Sequence, residues 1–275
     1  MRFIVPFGRE GASDRAARAF AASCGLSCEF ENVPGKGGRA GVERANDLAR
    51  TGVPTLLLGT PSTHVLLPSL GGPAPLDVFA PIMGLGHAPN VLLAAPSLRV
   101  DSVADLVREA QSRRLAYASA GSGQTIHLCT VLFCSQARIE MTHRPYDAGS
   151  AAAYADIAGG SIDVYFDSLL GCREHIAARE VIPLAISSVA RSPALPSVPT
   201  LRECGFEHAL DVWLGVFGVH ASGADWRAGR SLAEALGTLG LAQGPVPAGD
   251  LRAQVAASAP AWEAALRVYQ SQGGA

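Results

Sequence analysis

Short apolar runs, each closed by a turn of glycine, serine or threonine and followed by helix-periodic spacing, recur along the chain. That alternation predicts an open α/β sheet, because connecting helices cover both sheet faces and let the strands be apolar throughout. The first instance is "IVPFGREGASDRAARAF", which reads as a strand over 2–7, a glycine-bearing turn, and a helix over 14–24. Strands follow at 28–32, 55–59, 79–86 and 90–95, with a helix over 41–51. The pattern then restarts. Helices are expected at 101–113, 126–137, 149–158 and 169–178, and strands at 115–119, 140–145, 162–167 and 181–187. A strand at 212–219 returns the chain to its first half, and helices at 226–240 and 250–269 close it. Two α/β lobes joined by two crossovers are expected: a discontinuous domain of 1–97 plus 219–275, and a domain of 98–218. Between them lies a cleft, where open α/β sheets take their ligands.

Chain length and charge narrow the function classes. The 275 residues are 48% hydrophobic, enough for such cores. Basic and acidic residues balance at 22 and 24, which argues against a nucleic-acid partner. No apolar run reaches the roughly 18–20 residues that cross a bilayer, and no signal-peptide pattern precedes the first strand. Two localisations are left open: periplasmic, with a leader removed, or cytoplasmic. The six cysteines show no metal-ligand spacing and read as small buried hydrophobes that mildly favour a reducing compartment.

Four expected loops follow strands and precede helices: 7–14, 59–64, 118–127 and 167–169. All are rich in Gly, Ser or Thr, which offer N–H groups and hydroxyls at helix N-termini, where the dipole favours negative charge. They point to a small anionic ligand. Nucleotide motifs are absent: Gly121-Ser122-Gly123 lacks a third glycine, and no phosphate-loop pattern occurs. No cofactor or metal is expected. Ser122, His127 and Asp167 hint at a hydrolase, but there is no nucleophile elbow, and Ser122 and His127 share one loop–helix junction. His64 and His127 read as locally packed helix-start residues, and His143 as a core histidine.

The order of short motifs carries a resemblance. "IVPF…GASD", "ENVPGKGG", "LLLGTPSTH", "PNVLLAAPSL", "YASAGSGQTIHL", "HRPYDAGSAAAYADIAGGSIDVYFDSL", "AISSVARSPALPSVPT" and "WLGVFG" run in sequence from Arg2 to about Gly223. In this the chain resembles the Bug family of solute receptors of tripartite tricarboxylate transporters. The resemblance implies a two-lobed, Venus-flytrap periplasmic-binding-protein fold with mixed sheets, closing on a small organic acid. It implies a carboxylate held by backbone N–H groups and hydroxyls. Carried over by position, the site comprises Phe7, Gly11, Ala12, Ser13 and Asp14, then Thr60, Ser62 and Thr63. The second domain adds Ser119, Ala120, Gly121, Ser122, Thr125, His127 and Asp167. The ligand expected is a mono- or dicarboxylate or a related amide or amino acid. The partners expected are membrane transporter subunits or a sensor protein, with the receptor a monomer.

The chain departs from the family pattern at Arg9 and Glu10, where a proline and a glycine are usual, and at Arg144. Replacing a glycine that needs a left-handed backbone predicts a reshaped loop. Arg9 and Glu10 read either as a solvated turn or as ligand-selecting residues, and on the second reading they are added to the candidate site. An alternative is kept: a cytoplasmic descendant acting as an enzyme on a small carboxylate. Glu10 or Asp167 would then be the general base, with Arg9 or Arg144 orienting the acid.

Overall fold

The computed structural model describes residues 1–146, 150–188, 190–207, 210, 212–221, 226 and 230–273. The chain begins β1 (Arg2–Val5), α1 (Ala12–Ser23), β2 (Glu29–Asn32), α2 (Arg39–Arg50), β3 (Thr55–Gly59), α3 (Leu67–Ser69) and β4 (Ala80–Ala88). It continues β5 (Asn90–Ala94), α4 (Val103–Ser112), β6 (Leu115–Ser119), α5 (Thr125–Ala137), β7 (Met141–Pro145) and α6 (Ser150–Ala158). β8 (Val164–Ser168), α7 (Leu169–Ala177) and β9 (Ile182–Ile186) follow, then β10 (Val212–Val219), α8 (Arg230–Thr238), β11 (Val246–Pro247) and α9 (Ala248–Ser271).

These elements form two compact units, Met1–Ala88 with Val212–Glu263, and Pro89–Asp211 with Ala264–Ala275. The first holds a six-stranded sheet in the order β11-β4-β10-β3-β1-β2, the second a five-stranded sheet ordered β7-β6-β8-β5-β9. Both are mixed. β1 runs parallel to β2 and β3, whereas β10 is antiparallel to β3 and β4. β6 is parallel to β7 and β8, and β5 antiparallel to β8 and β9.

The units differ from the expected domain limits at three places, and strand pairing decides the first two. Residues 90–94, expected in the first domain, pair with β8 and β9 and so belong to the second sheet. Residues 212–218, expected in the second domain, pair with β3 and β4. The last turns of α9 group with the second unit. The expected helix start at Gly149 and residues 227–229 of the expected helix over 226–240 lie outside the described residues.

Burial follows the sequence patterns. β3 and β5 are buried at every position, as apolar strands with neighbours on both edges must be. In the first unit Phe3 stacks on Phe30 at 5.1 Å and meets Phe20 edge-on at 6.3 Å. The second core gathers Val91, Leu93, Tyr154, Ile157, Tyr165 and Leu169. Gly59 closes β3 because nothing larger fits: an added Cβ would lie 2.4 Å from the Phe217 ring and 2.6 Å from His64 Cε1. None of the six cysteines is in a disulfide; Cys129, Cys134 and Cys172 are buried and the other three partly so. Among the described residues no His/Cys/Asp/Glu group could hold a metal ion, and no helix is long and apolar enough to cross a membrane.

Candidate functional site

The turn after β1 is shaped by one carboxylate. Asp14 is buried at the start of α1 and accepts from the Glu10 N–H at 3.1 Å, Arg18 Nε at 2.9 Å and Asn32 Nδ2 at 3.0 Å. Asn32 also donates to the Phe7 carbonyl at 3.1 Å, so the end of β2 braces both ends of the turn. Burial alone would raise the Asp14 pKa. The hydrogen bonds from Arg18, Asn32 and the Glu10 N–H, with the Arg18 charge, outweigh it and hold the carboxyl below its ordinary value. Asp14 therefore spends its acceptor capacity inside the protein.

Glu10 sits at φ 64, the left-handed region that a glycine would occupy. Glu10 is held in that conformation by its N–H, which donates to Asp14, and by its carbonyl, which accepts from Arg15 Nε at 2.8 Å. Its side chain and that of Arg9 are exposed. Glu10→Gly is expected to raise stability by about 0.5–1 kcal/mol, strain relief exceeding the added entropy of the unfolded chain. A urea melt in which this variant is less stable than the parent would contradict that balance.

Gly11 and Ala12–Asp14 open α1 with no side-chain cap. α2 opens on Gly38 and α5 on Gln124, again with no side-chain cap. By contrast, α4 and α7 are capped by Ser102 and Ser168, whose hydroxyls accept from the N–H of Asp105 at 3.1 Å and of Gly171 at 3.2 Å. An uncapped N-terminus keeps N–H groups available to an anion. Gly38 at φ 92 brings the α2 start against the first turn, since a Cβ there would meet Thr63 Cγ2 at 2.6 Å and the Phe7 ring at 3.6 Å.

After β3 the chain enters a single π-type turn over Ser62–Leu66 rather than a loop. The Thr63 hydroxyl accepts from the Thr60 N–H at 3.1 Å and lies 2.9 Å from His64 Nδ1. His64 stacks on Phe217 at 4.0 Å between ring centroids, and burial pushes its pKa down to about 3. It is the locally packed histidine the sequence suggested. Among the described residues Thr60 Oγ1 is buried without a hydrogen-bond partner. Ser62 is buried beside it in sequence.

In the second unit the loop after β6 is set from within. Ser119 Oγ accepts from the Gly121 N–H at 3.1 Å and lies 2.6 Å from His143 Nε2. Gly123 N–H donates to His127 Nδ1 at 2.9 Å, and His127 Nε2 lies 2.9 Å from the Tyr117 hydroxyl. The Gln124 side chain closes the turn onto the Ala120 carbonyl. Ser122 is exposed, and Thr125 is buried at the first turn of α5.

Asp167 is buried on β8, accepting from Tyr154 OH at 2.8 Å and the Ser168 N–H at 2.7 Å. Burial pushes its pKa up to about 6 against those two hydrogen bonds and the nearby His175. The expected loop over 167–169 does not exist, because Ser168 ends β8 and at once caps α7. No triad of Ser122, His127 and Asp167 forms, since both ring nitrogens of His127 and both oxygens of Asp167 are engaged elsewhere. Asn32, Tyr117, His143 and Tyr154 complete these loops without having been singled out for them. Asn32, Tyr117 and His143 show in the sequence only as polar groups within a strand, and Tyr154, on α6, carries no signal.

A family model described as the tripartite tricarboxylate transporter family receptor matches residues 15–236. The chain belongs to that family. It is 32% identical over 228 residues to protein BugT of Bordetella pertussis, which covers 78% of this chain and 69% of BugT. The chain spans about two thirds of the length of the curated relatives it matches. Among solved structures, R. palustris Rpa4515 with adipate superposes with a TM-score of 0.81 at 29% identity, covering 100% of this chain and 97% of that one. MatC (Rpa3494) from Rhodopseudomonas palustris with bound malate gives 0.76 at 25% identity, covering 96% and 98%. The fold is the two-lobed periplasmic-binding-protein fold with mixed sheets. Receptors of this tricarboxylate transporter family are periplasmic solute-binding proteins, not enzymes, and the enzymatic alternative is set aside.

Proposed function

We propose that this chain captures a small mono- or dicarboxylate, or a related amide or amino acid, for a tripartite tricarboxylate-type transporter or a sensor protein. The observation that carries the reading is the contrast in helix capping. α1 and α5 begin without side-chain caps at the candidate loops 7–14 and 118–127, and α2 begins uncapped against the first of them, while α4 and α7, the latter at 167–169, are closed by serines. Open N–H groups and hydroxyls suit a carboxylate without a salt bridge. Ligand contacts are proposed for Phe7, Gly11, Ala12, Ser13, Thr60, Ser62 and Thr63 of the first unit. Ser119, Ala120, Gly121, Ser122 and Thr125 serve in the second. Asp14, Asp167 and His127 serve beneath that surface. Arg9 and Glu10 read the far end of the ligand, and the receptor works as a monomer in the periplasm.

A thermal-shift panel tests this. Adipate, malate or another small acid at one hundred times its dissociation constant is expected to raise the melting temperature by roughly 5 °C or more. No shift from any mono- or dicarboxylate at millimolar concentration would overturn the proposal.

A further inference from the structure

Resting on the carboxylate reading of the loop after β6, we infer that His127 is a positioning residue, which turns the Gly123 N–H inward and so presents the Ser122 N–H as the loop's outward donor. The tautomer follows from the geometry. Gly123 N–H donates to Nδ1, so Nδ1 carries no proton and Nε2–H must face the Tyr117 hydroxyl. The imidazole is held flat against His143, with centroids 4.0 Å apart and planes 10° apart, and edge-on to Tyr269 at 4.9 Å. It cannot swing out to meet a ligand while those contacts stand.

The other glycine is pinned from the opposite side. Gly121 N–H donates to Ser119 Oγ, which His143 Nε2 backs at 2.6 Å. Both glycines adopt left-handed backbone, φ 124 at Gly121 and 72 at Gly123, so the loop can turn two alternate amides inward. Ser122 lies between them, exposed, and its N–H has no hydrogen-bond partner among the described residues. The two imidazoles therefore act as a template for a donor that neither of them contributes. This differs from a direct ligand contact by His127.

The test uses two amide replacements in the whole chain. His127→Asn places its amide near the Nδ1 position and keeps an acceptor for Gly123. His127→Gln reaches toward the Nε2 position, keeps the Tyr117 partner and loses the Gly123 one. Hydrogen exchange of the unliganded protein, read by NMR, is expected to show Gly121 and Gly123 slow and Ser122 fast. Gln should speed Gly123 by about tenfold or more, while Asn leaves it within about threefold of the parent. Affinity for adipate and malate should fall in the same order, about tenfold for Gln, at nearly equal melting temperatures. Equal effects of Asn and Gln on exchange, or released Gly123 with unchanged affinity, would overturn the inference. A parent protein that binds neither acid would count against the carboxylate reading, while exchange still decides the hold on Gly123.

Discussion

Asp14→Ala is expected to lower the unfolding free energy by about 3 kcal/mol, the largest effect of any single change in the first loop. The carboxylate is buried and serves three donors; without it the Glu10 N–H loses its acceptor and Asn32 Nδ2 keeps only the Phe7 carbonyl. Removing it also strips the restraint that keeps Glu10 at φ 64, so the loop should relax toward an ordinary turn. Arg18 softens the loss, because its side chain is 45% exposed and its charge can return to water. Urea denaturation of the variant at pH 7 measures the cost. A loss below about 1 kcal/mol would mean that the clamp is not what shapes the turn. Asp14→Asn, which retains one acceptor oxygen, should fall between the variant and the parent.

A second large effect is acid lability. His64 and His127 are both pushed down to about 3, His64 by burial and His127 by burial with His143 beside it. In the unfolded chain each ring takes up a proton as pH falls through 6.5; in the folded chain neither does until about 3. Stability present above pH 6.5 is therefore lost on acidification. At pH 4.5 the two rings together cost about 5 kcal/mol by linkage. Asp167 works the other way. Its carboxyl is raised to about 6 in the fold, so it binds its proton first and returns about 2 kcal/mol over the same range. Asp14, with its lowered pKa, adds to the loss only once the pH drops below the ordinary carboxylate range. A net fall of about 3 kcal/mol between pH 7 and 4.5 is expected from urea midpoints. His64→Phe should flatten the curve by about half of the imidazole contribution. A midpoint that does not move over that range would show that these imidazoles charge without unfolding the protein.

Much of the architecture was legible because strand and helix periods alternate cleanly. β3 and β5 announce themselves as apolar runs, and α4 begins within two residues of its expected start at 101. Sheet membership was less so. Residues 90–94 look like a continuation of the first lobe, and only pairing with β8 and β9 assigns them to the second. The turn over Ser62–Leu66 reads as a loop because its π-type winding leaves no distinct spacing in so few residues. At the site, family motifs located the loops, but a polar residue at a helix start carries no mark of which way it faces. Asp14, His127 and Asp167 all stand where a ligand contact could stand, and all three are turned into internal hydrogen bonds. Asn32 lies inside the "ENVPGKGG" motif, yet its brace on Phe7 depends on the pairing of β1 with β2, which no local pattern encodes.

The clamp on the first turn also bears on how such receptors diverge. The backbone path from Phe7 to Gly11 is dictated from beneath, by Asp14 and Asn32, rather than by the residues at its tip. The tip can then exchange a proline and a glycine for Arg9 and Glu10 and keep its course. Side chains at those two positions become interchangeable fittings on a fixed bracket. A lineage can vary the charge displayed there one substitution at a time, without having to rediscover a foldable loop at each step.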